Sequence, residues 1–188
     1  MHMKKQSFNQ TVPVRIVRPF SVSIMAQAAM IAALYVVLTF IANAFGLANH
    51  TIQVRISEAL TILPYFTPAA VPGLLIGCLI SNILTGCILP DIIFGSLATL
   101  AGALGTYAFR RWKWLAPVPP ILANILVVPL ILIYGYGFLI DGASVTYCYL
   151  FYVLTVGAGE IISCGILGMG LLFTLEKYAG RIFPKSVS

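Results

Sequence analysis

The chain has 188 residues, of which 60% are apolar and only 9% charged, and its mean hydropathy is +1.00. A water-soluble domain of this size needs far more charge to cover its surface, so the composition excludes one and points to an all-α membrane protein. The formal charge of +6 follows from membrane orientation and does not argue for nucleic acid.

The basic residues divide the chain into spans. Residues 1–21 form a polar, basic arm in which His2-Met3 reads as a cloning remnant and Met3 as the natural start. The arm leads into full-length apolar runs such as Ile24–Phe45, so a cleavable signal peptide is not expected. Between Arg18 and Arg55 lie 36 residues, enough for one span of ~20 but not for two. The 54 residues between Arg55 and Arg110 hold two spans or three tight ones, and the 63 between Lys113 and Lys177 hold two. Three spans in the middle block put ten of the eleven basic residues on one side and only Arg55 on the other. By the positive-inside rule this arrangement wins. It predicts six transmembrane helices in a cell membrane, with both termini cytoplasmic.

Glycine and proline place the turns. Helix 1 is predicted at 22–45, with an outer loop over 46–56. Helix 2 is predicted at 57–66, with a cytoplasmic turn at Thr67-Pro68. Helix 3 is predicted at 69–86, with an outer turn near Pro90, and helix 4 at 91–110. Helix 5 is predicted at 116–139, with an outer loop holding Asp141-Gly142, and helix 6 at 147–175 before a basic tail, 176–188. Helix 2 is anomalous, because ten α-helical residues rise only ~15 Å. It must start earlier, lie deep in a cavity or be partly unwound, which is tolerated only where backbone faces protein or water.

Polar residues inside such spans carry the functional signal. Glu58, Asp91 and Asp141 fall at the outer face, and Glu160 falls within helix 6 beside Gly157-Ala158-Gly159, which clears space next to it. A carboxylate in a span costs ~2.5–3.5 kcal/mol on insertion scales, so it faces a cavity or a partner. Arg55, the one basic residue assigned outside, forms either a surface pair with Glu58 or part of a binding site. Asn82 and Asn124 read equally as interhelical glue and as ligand contacts. Along helix 4, Asp91, Gly95, Thr99, Gly102 and Thr106 share one face, which suits either close packing or a site, and Asp91 could instead cap the helix. Helix 1 carries two interleaved alanine pairs, Ala28/Ala32 and Ala29/Ala33, each flattening a face for a close helix approach.

The four cysteines form no CxxC pair and have no histidine nearby, so they read as small buried apolar residues with no metal site. The sequence lacks a GxxxxGK[ST] loop, an HExxH motif and a nucleophile elbow, which argues against an enzyme and against a resident cofactor. Active transport would then need a partner or an ion gradient.

Four ordered motifs resemble the signature of the queuosine-precursor transporter (QueT) family: Val54–Pro64, Thr67–Leu74, Asp91–Leu100 and Val156–Glu160. These are S components, the substrate-capture subunits of energy-coupling factor (ECF) importers. The resemblance implies six helices with both termini inside. It implies a 7-deazaguanine base as substrate, such as 7-aminomethyl-7-deazaguanine or queuine. It also implies partners in a transmembrane T component and two ATPase subunits. The T component docks on small residues of helix 1, which carries over to Ala28, Ala29, Ala32 and Ala33 with the choice of pair open. A different vitamin remains the alternative ligand for the same fold. The donor edge of a guanine-type base suits the Glu160 carboxylate, with Arg55, Glu58, Asn82, Asp91 and Asn124 completing the site. Tyr147, Tyr149 and Tyr152 could stack on the base or anchor helix 6 at the lipid interface. The acidic excess in the outer half favours a cationic aminomethyl substituent over a neutral nitrile. Reporter fusions test the topology: signals after residues 112 and 185 should read cytoplasmic and one at 142 external, whereas an external signal at 112 would remove the six-span arrangement.

Overall fold

A computed structural model describes residues 22–46 and 54–178. The arm and most of the tail therefore lie outside the described residues, and among these there is no β-strand. Six helices follow one another: α1 Val22–Ala44, α2 Ile56–Tyr65, α3 Ala70–Leu84, α4 Asp91–Ala108, α5 Lys113–Gly135 and α6 Val145–Glu176. Four of them (α1, α4, α5 and α6) are long and apolar enough to cross a membrane, while α3 is shorter and apolar. The chain is a multi-pass membrane protein.

The anomaly at helix 2 has a structural answer. α2 is wound as a 3₁₀ helix, and ten residues at ~2.0 Å each reach ~20 Å, further than an α-helix of that length. Ser57 to Pro64 are all buried, and α2 contacts α1, α3, α4 and α6. The remaining helices pack in chain order around it, α1 on α3, α3 on α4, α4 on α5 and α5 on α6. Such tight winding strains the backbone hydrogen bonds, and a central position lets neighbouring side chains compensate. Pro64, which has no N–H to offer, stands near its end. Thr67 then makes the turn: its hydroxyl accepts from the Ala69 N–H (3.3 Å) and donates to Gln27 Oε1 (3.0 Å).

Small residues set the helix spacings. A Cβ on Gly73 would lie 2.7 Å from the Ala28 carbonyl oxygen, and one on Gly77 would lie 3.0 Å from Ala32 Cα and 2.8 Å from Tyr35 Cβ. The Ala28/Ala32 pair is thus consumed inside the protein, pressed on α3, whereas Ala29 and Ala33 are exposed on the outside of α1. On α4, a Cβ at Gly102 would meet Pro120 Cα at 2.6 Å, and Thr106 donates to the Ala116 carbonyl (2.8 Å). The face from Thr99 to Thr106 is therefore a packing face against α3 and α5, while Gly95 lines a pocket.

Three stretches are wound more widely, with i to i+5 hydrogen bonding: Asp91–Gly95, Ile131–Gly135 and Ile161–Gly168. Such turns recur at functional sites. All three adjoin the polar residues singled out in the sequence or the end of α5 that faces them. α5 ends at Gly135, earlier than the predicted 139, because Pro129 withholds a hydrogen bond and the wide turn then unwinds the end. The chain continues through a loop in which Gly142 takes a left-handed conformation (φ 76°) that favours glycine. Replacing Gly77 by leucine should force α1 off α3. We expect a loss of roughly 1–3 kcal/mol or more, read as a lower melting temperature and earlier aggregation in detergent; an unchanged melting temperature would show that this contact does not hold the pair.

Candidate functional site

Between the ends of α1, α3, α5 and α6 lies a cavity of ≈ 690 Å³. Its polar wall carries Thr39, Arg55, Ser57, Asn82 and Asp91, and its other side carries aromatic rings. Tyr136 stacks on Phe138 with centroids 5.5 Å apart at 27°, and Phe151 meets Tyr152 edge-on at 5.5 Å and 74°. The volume and the mixture of flat rings with a few placed polar groups suit a small heteroaromatic ligand.

Asp91 is held from several directions. Its backbone carbonyl accepts from the Asn82 amide (3.3 Å), which ties α3 to the start of α4. Its side chain folds back over Gly95, where a Cβ would come within 2.9 Å of Oδ1. Oδ2 accepts from the Tyr136 hydroxyl (2.9 Å) and lies 4.0 Å from Arg55 Nη2. Asp91 therefore acts as an anchored chamber carboxylate rather than as a helix cap. Burial, and then the neighbouring Asp91 charge, holds the Tyr136 phenol above its ordinary pKa, which keeps its proton available for this bond.

A second, narrow cavity of ≈ 10 Å³ adjoins the first, roughly the space of one water. Arg55, Val128 and Val156 line both. Asn124 and Glu160 line only the narrow one. The Asn124 amide donates to Glu160 Oε1 (2.9 Å), and the Cys164 thiol donates to Oε2 (3.2 Å). A carboxylate offers about four lone-pair sites, so Glu160 keeps acceptor capacity toward the pocket.

Glu58 departs from expectation, because it lines neither cavity. Its carboxylate is buried behind the narrow pocket, with Oε1 accepting from the Tyr35 hydroxyl of α1 and Oε2 unpartnered among the described residues. Donor atoms of Glu58, Glu160 and Cys164 lie within 4.8 Å of one another, a spacing at which an ion could be held. Their bonds to Tyr35, Asn124 and Thr61 make the group a hydrogen-bonded polar core joining α1, α2, α5 and α6. The outer acidic excess is also dispersed: Glu58 is sealed off, Asp141 is exposed on the α5–α6 loop, and Asp91 faces Arg55.

Of the residues predicted for the site, Arg55, Asn82 and Asp91 share the wide chamber, and Asn124 and Glu160 share the narrow one. Among the predicted aromatics Tyr152 lines the chamber, while Tyr147 is exposed. The sequence reading missed Tyr35, Tyr136, Phe138, Phe151 and Cys164. Two of these left a trace: Cys164 follows Glu160 by one helical turn, and Tyr35 continues the Ala28/Ala32 face.

A family model described as QueT transporter matches residues 25–177, which takes in every helix but the first turn of α1. The chain belongs to the QueT transporter family. That family is one of transporters, not enzymes. A protein of Lactococcus lactis subsp. cremoris (strain MG1363) named queuosine precursor transporter QueT is 38% identical over 86 residues. The matched stretch covers 45% of this chain and 50% of that relative, so the chain spans half the length of the curated protein it matches. No solved structure matches the chain.

Proposed function

We propose that this QueT-family protein is the S component of an ATP-driven ECF importer and captures a 7-deazaguanine queuosine precursor on its outer face. In this reading it has six spans with both termini cytoplasmic, the wide chamber opens outward, and a T component with two ATPase subunits drives transport. The observation that carries the reading is the buried Glu160–Asn124 pair at 2.9 Å, set at the end of an aromatic chamber. The amino group and adjacent ring N–H of a guanine-type base match a carboxylate acceptor as a charge-assisted pair, and the base plane matches the rings of Tyr136, Phe138, Phe151 and Tyr152. The named relative transports a queuosine precursor, and the matched family supports the same substrate class here. The exposed pair Ala29/Ala33 supplies the flat face that a T component would need, since Ala28/Ala32 is already occupied by α3.

Two experiments test this reading. The first identifies by mass spectrometry the small molecule that accompanies the purified protein, then titrates 7-deazaguanine bases. Glu160→Gln should lower affinity at least about thirtyfold, because truncating one partner of a buried charge-assisted bond costs ~2–5 kcal/mol. Its melting temperature, measured on the same sample, should fall by no more than a few degrees, since the cost of turning a donor toward Asn124 or Cys164 is offset by removing an ion from a span. A well-folded Glu160→Gln protein with wild-type affinity would remove Glu160 from the site. The second experiment separates the alanine pairs. Bulky residues at Ala29 or Ala33 should abolish uptake while ligand binding by the isolated subunit survives, whereas the same changes at Ala28 or Ala32 should impair folding itself. Normal uptake by the Ala29 and Ala33 variants would move the docking face elsewhere.

A further inference from the structure

Arg55 occupies a singular position: it lies 4.0 Å from Asp91 in the wide chamber and also walls the narrow pocket that holds Glu160. We propose that Asp91, Arg55 and Tyr136 form a charge filter for the substituent on the five-membered ring of the bound base, with Arg55 setting how strongly a cation is preferred. The proposal rests on the reading of the ligand as a 7-deazaguanine.

The orientation follows from the proposed contact of the N–H edge with Glu160, in a pocket of ≈ 10 Å³ that holds little more than a water-sized group. A bicyclic base that directs its N–H edge at Glu160 necessarily carries its five-membered ring, on the opposite side, into the ≈ 690 Å³ chamber. The charged groups lining that chamber, among the described residues, are Asp91 and Arg55. At 4.0 Å their contact is electrostatic rather than a hydrogen bond, so the carboxylate is not saturated by the guanidinium. Tyr136 donates to the same Oδ2 and fixes where the charge points. An ammonium arriving here is attracted by Asp91 and repelled by Arg55 at comparable range, while a neutral substituent feels little of either. Arg55 thus moderates a preference that Asp91 creates.

The competing role for the pair is structural, tying the start of α2 to the start of α4. That role predicts equal effects on every ligand, together with a lower melting temperature. The discriminating readout is therefore a ratio: the affinity for 7-aminomethyl-7-deazaguanine divided by that for 7-cyano-7-deazaguanine, measured by calorimetry on the full-length protein. Arg55→Gln should raise the ratio at least about tenfold, and Asp91→Asn should lower it at least about tenfold. Arg55→Lys, which keeps the charge, should leave it within about threefold. Unchanged ratios in Arg55→Gln and Asp91→Asn, with both ligands still bound, would overturn the filter while leaving the ligand class standing. If Arg55→Gln fails to fold, the Asp91→Asn ratio alone decides. Loss of folding in both would assign the pair to the structural role and overturn the filter. A wild-type protein that binds neither compound would instead remove the ligand reading beneath it.

Discussion

A carboxylate inside an apolar bundle must be held, and in this protein the Tyr35–Glu58 bond does so across two helices. Glu58 is fully buried on α2, and Tyr35 is the tyrosine that α1 presents inward. Breaking a buried bond of this kind is destabilising, because a buried polar group is left without its partner. The bond therefore fixes how α1 sits on α2. The polar core extends outward from it: the Glu58 carbonyl accepts from Thr61 (2.6 Å), and the Cys164 thiol, 3.4 Å from that carbonyl, donates to Glu160 Oε2 (3.2 Å). α6 is thereby set against α2, and Glu160 against Asn124 of α5. The narrow pocket owes its shape to this chain of contacts.

Above that core the chamber changes character. Its polar groups come from α1, the end of α3 and the starts of α2 and α4, and its rings come from the segment just after α5 and the first half of α6. Opposite charges face one another there, Asp91 and Arg55, so the chamber can lie within a low-dielectric bundle without a large net field. In the proposed reading, rings on one side and fixed donors and acceptors on the other give a flat ligand a plane and an edge to match. Recognition of this sort requires few residues, provided each is held by its neighbours, as Gly95, Asn82 and Tyr136 hold Asp91.

Much of this was legible in the sequence, for reasons that can be named. Helix bounds followed from sparse charges and from Gly/Pro punctuation, and only the end of α5 shifted by several residues. Asp91, Asn124 and Glu160 stood out because polar groups in apolar helices have to face something. The winding of α2 was not legible, since 3₁₀ and α-helices share a composition and only the length constraint signalled trouble. The alanine pairs were indistinguishable on α1 alone; Gly73 and Gly77, spaced identically on α3, were the missing half of that signal. Glu58 misled because three residues from Arg55 suggests one shared surface, whereas Arg55 precedes α2 in extended backbone and Glu58 turns inward to Tyr35. Cys164 was read as an inert filler, and its thiol bond to Glu160 depends on an adjacency that a cysteine spacing rule does not consider.

The short, tightly wound α2 also bears on how the protein comes to be built. A ten-residue segment that follows Arg55 and carries Ser57 and Glu58 in its first turn is too short and too polar to partition into lipid as an independent unit. The long apolar helices can enter the bilayer one at a time and find each other afterwards. α2 can settle only when α1, α3, α4 and α6 are present to wall it from the hydrocarbon. Biogenesis of this protein therefore has an order, in which the central element is made second and comes to rest last.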